Sequence, residues 1–390
     1  MKKHIIFLLV ILLLVHPSTF FAEKIVQTDD IYTYENFQSD LEKLDEEYGP
    51  LVEVYSVEST KYGRTIYLVK LGFGEANVFY NGSHHAREWF STMLTMNMIE
   101  EYAKAYDDES EIDRYDIREL FNQTSIWFVP MVNPDGVTLQ QLGLKAFPEQ
   151  DHEQLLEMNG GSYDFTRWKA NAEGIDLNRQ YPTGWEESYT TEGPSWSNYK
   201  GTKPFETIET QIMRNLTTII QPEISIAYHT SGQIVYWNLN MSPEHEKRDT
   251  RIAETYQQLS GYTLMQAGYG AGYTDWVIEE LDLPALTPEL GTYQGEKHVD
   301  PGEFSEEWER NRKAGLFIAA EGYRLHEKNN SPLAVNRNSP VIDPGDLLPG
   351  KGVERFQYVS MIKEKYKLPT NQAIDLYLQK TSPAEALGLR

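Results

Sequence analysis

Cysteine is absent from the 390 residues. The chain is therefore neither a disulfide scaffold nor a thiol enzyme, and it lacks the residue that a lipoprotein anchor requires. Positive charge is scarce: 35 Lys and Arg stand against 59 Asp and Glu, giving a formal net charge of −24. The acids are spread along the sequence rather than gathered in a tail. Such a surface repels phosphate backbones, which argues against a nucleic-acid partner. Long apolar runs are missing beyond residues 5–15, and no internal repeat is visible. Aromatic residues, in contrast, are plentiful, with 25 Tyr and 8 Trp. Disorder does not fit that composition, and a chain of this length can bury a full core.

The N-terminus carries a short basic region, Lys2 and Lys3, followed by an almost wholly apolar stretch to Val15. Pro17, Ser18 and Ala22 then lead into polar sequence. This pattern reads as a secretory signal peptide over residues 1–22, too short for a comfortable membrane span, with an uncleaved anchor as the alternative. Removing it takes away Lys2 and Lys3 and no acid, leaving a charge of −26. The expectation is a bacterial protein that is secreted, extracellular or cell-wall associated, monomeric, and free of the membrane after signal removal.

Further along, Phe37, Leu41 and Leu44 share one face of a helix opening at Tyr34. Residues 51–57 and 65–71 alternate as strands around a Tyr62-Gly63-Arg64 turn, and residues 78–80 form another strand. Helix follows from Trp89 to about Tyr106, then a buried-type strand over 125–131 ending in Asn133-Pro134-Asp135-Gly136, which reads as a turn. Residues 143–201 are rich in Gly, Pro, Trp and Asn and weak in periodicity, a composition that points to function rather than idle linker. Helices at about 205–219, 251–260 and 304–323 then interleave with strands at 223–229, 234–237 and 286–290. Alternation of this kind argues for an α/β fold with a central, mainly parallel or mixed sheet. Composition shifts near Lys328, where Pro332, Pro340, Pro344 and Pro349 mark a linker. The expected organisation is a signal over 1–22, a catalytic domain over 23–328, and an extension over 329–390 with short helices near 372–379.

The first chemical signal is His85 with Glu88, three positions apart, just after the strand at 78–80. An imidazole nitrogen and a carboxylate oxygen at that spacing can reach one zinc ion. Two ligands do not make a catalytic site, and His-x-x-Glu is common by chance. Among nine histidines, His229 stands out because it ends the apolar strand Ile224-Ser225-Ile226-Ala227-Tyr228. Ligands bind at the carboxyl ends of strands in open α/β sheets, although a hydrogen-bonded edge histidine is the simpler alternative. A third stretch, Asp176-Leu177-Asn178-Arg179, sets an acid, an amide and a guanidinium together in the irregular region. Arginine's planar fork suits a carboxylate.

Taken together, His85-Ala86-Arg87-Glu88-Trp89, Asn133-Pro134-Asp135-Gly136, Asp176-Leu177-Asn178-Arg179, Tyr228-His229-Thr230-Ser231 and Thr287-Pro288-Glu289-Leu290 follow one order. In it the chain resembles zinc carboxypeptidases of the carboxypeptidase A type, peptidase family M14, from about residue 30 to 325. The resemblance implies a single-domain mixed parallel and antiparallel central sheet with helices on both faces. It further implies one zinc ion held by His85, Glu88 and His229, with Glu289 as general acid and base. Asn178 and Arg179 would hold the free carboxylate of the substrate's last residue, Arg87 would polarise the scissile carbonyl, and Asp176 would orient His85 from behind. His84 would be a bystander. Arg167-Trp168-Lys169-Ala170-Asn171 and Gly272-Tyr273-Thr274-Asp275-Trp276 look closest to bacterial peptidases that cut γ-D-glutamyl-diaminopimelate bonds of cell-wall peptides. The substrate would then be a muropeptide; the alternative is a general metallocarboxypeptidase removing C-terminal L-amino acids. A zinc-free pseudoenzyme is a further class, but all three ligands and the base are present.

Two departures from the family pattern matter. Aligning on Lys169 puts Trp168 where an oxyanion-stabilising arginine belongs, so either Arg167 shifts by one residue or Arg87 takes the role. The family's mobile tyrosine corresponds to Tyr269, or alternatively to Tyr273, on a Gly-rich segment that can act as a lid. Thr274 would lie at the floor of the pocket for the terminal side chain.

Overall fold

The computed structural model describes residues 24–268, 270–330 and 354–388. The expected signal segment, the proline-rich linker and Tyr269 lie outside the described residues. In chain order the elements are α1 (Tyr34–Tyr48), β1 (Val52–Ser59), β2 (Thr65–Leu71), β3 (Ala76–Gly82) and α2 (Phe90–Asp107). A small ribbon, β4 (Glu111–Ile112) and β5 (Tyr115–Asp116), precedes α3 (Ile117–Gln123), β6 (Thr124–Val129), α4 (Pro134–Leu142) and α5 (His152–Met158). After a long irregular stretch come α6 (Ile208–Ile220), β7 (Ile224–Thr230), β8 (Ile234–Tyr236), α7 (Pro243–Ser260) and β9 (Thr263–Met265). The chain continues through α8 (Tyr273–Leu281), β10 (Ala285–Leu290), α9 (Phe304–Asn329), α10 (Arg355–Tyr366), α11 (Thr370–Tyr377) and α12 (Pro383–Ala386).

Eight strands form one sheet in the order β1-β2-β6-β3-β7-β10-β8-β9. Its centre is parallel, with β3 beside β6 and β7, and β7 beside β10. The β1–β2 hairpin joins β6 antiparallel, and β8 joins β10 antiparallel, so the sheet is mixed. Alternation along the strands sends side chains to two cores. Val78, Tyr80, Ile126, Phe128 and Tyr228 pack in one cluster with Phe37 and Leu41 of α1, Met93 of α2 and Phe317 of α9. Phe79 and Trp127 point the other way, to Ile212 and Leu216 of α6 and Trp276 and Val277 of α8. Helices therefore cover both faces, and among the described residues none is long and apolar enough to cross a membrane.

Local signals explain most element ends. Thr33 and Asn36 form a capping box at α1, and Gly63 supplies the positive φ of +80° that the β1–β2 turn needs. One expectation is corrected. Asn133-Pro134-Asp135-Gly136 is not a turn but the start of α4, with Asn133 capping through a bond from the Gly136 N–H and Pro134 in the first turn. Asn-Pro serves both structures, because proline at the first helical position gives up only an N–H that would be unpaired anyway. The sequence pattern does not signal helices α3, α8 and α10, nor α5 inside the stretch 143–201 expected to lack regular elements, and α7 begins eight residues before the expected Arg251. In the extension, Phe356, Val359, Ile362, Ile374 and Leu376 join the α6 core cluster, so 354–388 lies against the sheet domain.

Candidate active site

The parallel registers Gly82 with Tyr228 and His229 with Glu289 set the carboxyl ends of β3, β7 and β10 side by side. His85 follows β3 in extended conformation and caps a 3₁₀ turn, Ala86–Glu88, that folds the Glu88 carboxylate back beside it. The Ala86 N–H donates to the Lys169 carbonyl at 2.9 Å, tying this turn to the irregular loop. From the start of α4, Asn133 Nδ2 donates to the carbonyls of His84 and Ala170 at 3.1 and 3.2 Å. Gly136 completes that junction: a Cβ there would stand 2.5 Å from the Ala170 carbonyl oxygen.

His85, Glu88 and His229 meet in the interior, their ligand atoms all within 4.8 Å of one another. His85 Nδ1 lies 2.8 Å from Glu88 Oε1, His229 Nδ1 lies 2.8 Å from Glu88 Oε2, and the two Nδ1 atoms are 3.1 Å apart. Ligand atoms around a tetrahedral zinc stand about 3.3 Å apart, so the spacing is that of a slightly contracted ligand set. The proton inventory points the same way. His85 Nε2 faces Asp176 Oδ1 at 3.2 Å, which places the proton of a neutral ring on Nε2. Its Nδ1 then aims a bare lone pair at a carboxylate oxygen and a second imidazole, an arrangement that a cation resolves.

Asp176 is fully buried and has four partners: His85, the N–H groups of Asn178 and Asn198, and Lys169 Nζ at 3.1 Å. Burial opposes its charge, yet Lys169, His85 and Arg179 keep it well below its ordinary value. Glu289 presents the reverse case. Burial and the nearby Glu88 push it well above the usual range, against the pull of Lys169 and Arg87.

Asn178 and Arg179 sit on a 3₁₀ turn, Leu177–Arg179, capped by Asp176. Asn178 Oδ1 accepts the Tyr273 N–H at 2.9 Å, and Arg179 Nη1 donates to the Asn178 carbonyl at 2.8 Å. Thr274, next on α8, has its hydroxyl 2.7 Å from that of Thr287. Thr287 is two residues before Glu289 on β10 and so shares its face of the sheet.

Arg167 is not where the sequence reading expects it. Its guanidinium lies 4.4 Å above the Trp196 ring and donates to the Asn159 carbonyl at 2.9 Å, which ties it to the surrounding loops. Lys169, two residues on, takes the inward place that the sequence reading missed, and Arg87 Nη1 donates to the Arg167 carbonyl at 3.1 Å. Tyr273 is no mobile tyrosine. It is buried, with its hydroxyl bonded to Thr217 and Ser225 at 3.0 and 2.9 Å. His84 is buried at 3.0 Å from the Tyr181 hydroxyl and stacked on His229. Burial, then the neighbouring histidines, lowers it well below the ordinary range, so it is a neutral packing partner.

A buried His-Glu-His set at the carboxyl ends of parallel strands, with a carboxyl group beside it, defines a metallopeptidase site. The zinc carboxypeptidase pattern, family M14, matches residues 37–314, and the chain belongs to that family of peptidases. It is 31% identical over 300 residues to gamma-D-glutamyl-L-diamino acid endopeptidase 1 of Lysinibacillus sphaericus, covering 76% of this chain and 74% of that one. It is 25% identical over 293 residues to metallocarboxypeptidase A of Arthroderma otae, covering 66% and 63%. Among solved structures, thrombin activatable fibrinolysis inhibitor superposes with a TM-score of 0.61 at 16% identity, over 79% of both chains. Carboxypeptidase A of Helicoverpa armigera gives 0.59 at 18% identity, over 77% of this chain and 76% of that one. These likenesses place the fold among the carboxypeptidases.

Proposed function

We propose that this chain is an exported peptidase that cuts γ-D-glutamyl-diaminopimelate bonds in cell-wall peptides. The observation that carries the substrate is the similarity to an enzyme named for γ-D-glutamyl-L-diamino acid bonds, spread over three quarters of this chain. The site chemistry is compatible. Diaminopimelate at a stem-peptide end presents a free carboxylate beside the scissile amide, a group that Asn178 and Arg179 would hold.

His85, Glu88 and His229 would hold the zinc ion, which would lower the pKa of water toward about 7 and polarise the scissile carbonyl. Asp176 fixes the tautomer and orientation of His85. Glu289, beside the ligand set, accepts the proton of the attacking water and passes it to the leaving amine. Arg87 stabilises the negative charge that grows on the carbonyl oxygen as the C–N bond breaks. Thr274 and Thr287 form a hydroxyl pair on the strand face of the base, which would suit a polar terminal side chain.

The test is an assay of the zinc-loaded protein on L-alanyl-γ-D-glutamyl-diaminopimelate and on a blocked L-dipeptide. Release of diaminopimelate well above turnover of the dipeptide supports the proposal. Cleavage of the dipeptide alone sinks it in favour of a general metallocarboxypeptidase. Export is tested separately, by finding the protein in the culture medium or wall fraction and sequencing its N-terminus.

A further inference from the structure

We propose that Lys169 is a positioning residue for the metal centre: its ammonium, acting through Asp176, fixes the orientation of His85 as a ligand. The inference rests on the metal reading of His85, Glu88 and His229.

Lys169 is held at both ends. Its main chain joins the ligand turn to the neighbouring loop: its carbonyl accepts the Ala86 N–H at 2.9 Å, and its own N–H donates to the Trp196 carbonyl at 2.9 Å. Trp168, immediately before it, is fully buried among Ala86, Phe165 and Ala170, which leaves that backbone little freedom. At the other end, Nζ lies 3.1 Å from Asp176 Oδ2.

The geometry at Asp176 then divides the work between its two oxygens. Oδ1 faces His85 Nε2 at 3.2 Å and accepts the Asn178 N–H at 3.2 Å. Oδ2 faces the ammonium and accepts the Asn198 N–H at 3.1 Å. A fully buried carboxylate is retained only when paired and hydrogen-bonded, and the ammonium is its salt-bridge partner besides His85. Without it Oδ2 keeps a single N–H, and the carboxylate is freed to turn off the imidazole. The ring would then lose the partner that aims its Nδ1 at Glu88 and His229. Arg167 cannot substitute, because it is spent on Trp196 and Asn159.

Zinc affinity, measured by competition with a chelating indicator, tests this directly on the full-length protein. Lys169→Met should weaken zinc binding about 10–100-fold, the usual effect of losing a partner behind a ligand histidine. Lys169→Arg, which keeps the charge, should recover most of it. In an Asp176→Asn background, Lys169→Met should cost nothing further, because the path it acts through is already cut. Unchanged zinc affinity in Lys169→Met overturns the proposal, even if turnover falls, since the ammonium would then act on substrate instead. Additive losses in the double variant overturn it equally. Should Lys169→Met fail to fold by circular dichroism, Lys169→Gln keeps an N–H for Oδ2 without the charge, and undiminished affinity there counts against the proposal. Wild-type protein that takes up no zinc would refute the metal reading itself; wild-type uptake with an indifferent Lys169 refutes only this inference.

Discussion

At the carboxyl ends of β3, β7 and β10, polar side chains are buried against one another: His85, Glu88, His229 and Asp176 are all buried, each within hydrogen-bond distance of another. Where α10 and α11 lie against α6, Phe356, Val359, Ile362 and Ile374 join Leu216 and Ile219 in one apolar cluster, and the buried cation there, Lys363, is spent on the Ile219 and Ile220 carbonyls. The first region spends interior volume on groups that water would solvate better, which a protein retains where they bind or react. The second follows the ordinary logic of burial, at about 1.5–3 kcal/mol for each large aliphatic side chain. The comparison therefore separates chemistry from stability, and substitutions should break one without the other.

The largest effect belongs to the ligands. His229→Ala should abolish stoichiometric zinc uptake and lower kcat/KM by more than about 10³-fold, since a whole electrophile is lost rather than one donor worth about 10²–10³. The metal-free variant should still melt cooperatively with an unchanged far-UV spectrum. A variant that binds one zinc per chain would break the assignment.

Next in size is Glu289→Gln. Removing a positioned acid and base costs about 10²–10⁴ in kcat. Zinc content should stay at one per chain, because Glu289 is outside the ligand set. Activity within a few-fold of wild type would move the proton-transfer role elsewhere.

The two regions also differed in how far they could be read from sequence. The ligand set lies in short motifs whose residue types are chemically unusual: an acid three places from a histidine, and a histidine ending an apolar strand. Such signals survive without knowledge of the fold. The alternating strands and the long α2 and α9 carried the sheet's layout in the same way. Arg167 and Lys169 could not be sorted, because two cations two residues apart in an irregular loop differ only in what the loop does. Here Trp196 captures the first and Asp176 the second. Helix α8 was hidden by the Gly-rich segment before it, where Asp275 instead accepts the N–H groups of Gly270 and Gly272 and turns the chain into the helix. Helix α10 has its apolar residues matched to α6, a partner some 140 positions away, as the Arg214 to Glu354 ion pair shows.

On the apolar side, Ile362→Ala should destabilise the protein by about 2–5 kcal/mol in urea unfolding, from lost transfer energy and the cavity left behind. Below the transition, kcat/KM and zinc affinity should match wild type. A loss of zinc affinity in this variant would mean the two regions are coupled more tightly than their contacts suggest.

The smallest effect concerns Glu209, which touches both regions. It lies buried in the first turn of α6, the helix whose last carbonyls, of Ile219 and Ile220, receive Lys363 of α10. Its Oε1 accepts from Asn171 Nδ2 at 3.2 Å, while Asn171 Oδ1 accepts the N–H groups of Glu173 and Ile175 in the loop leading to Asp176. Burial, with Asp135 and Glu173 adding to it, pushes the Glu209 carboxyl from 4.5 up to about 7. Between those values the folded chain holds a proton that the unfolded chain has released, so this group's stabilising contribution is full below pH 4.5 and is lost as pH rises through 7. The span corresponds to at most about 3 kcal/mol. Glu209→Gln mimics the protonated form at every pH. It should match wild type near pH 4.5, exceed it in urea resistance above pH 7, and leave kcat/KM unchanged. Taking the difference between the two proteins cancels the titration of every other group. Identical pH slopes would show that Glu209 is ionised in the folded chain at neutral pH. A zinc affinity that moved with Glu209→Gln would show that α6 passes changes from the apolar side through Asn171 to the ligand shell.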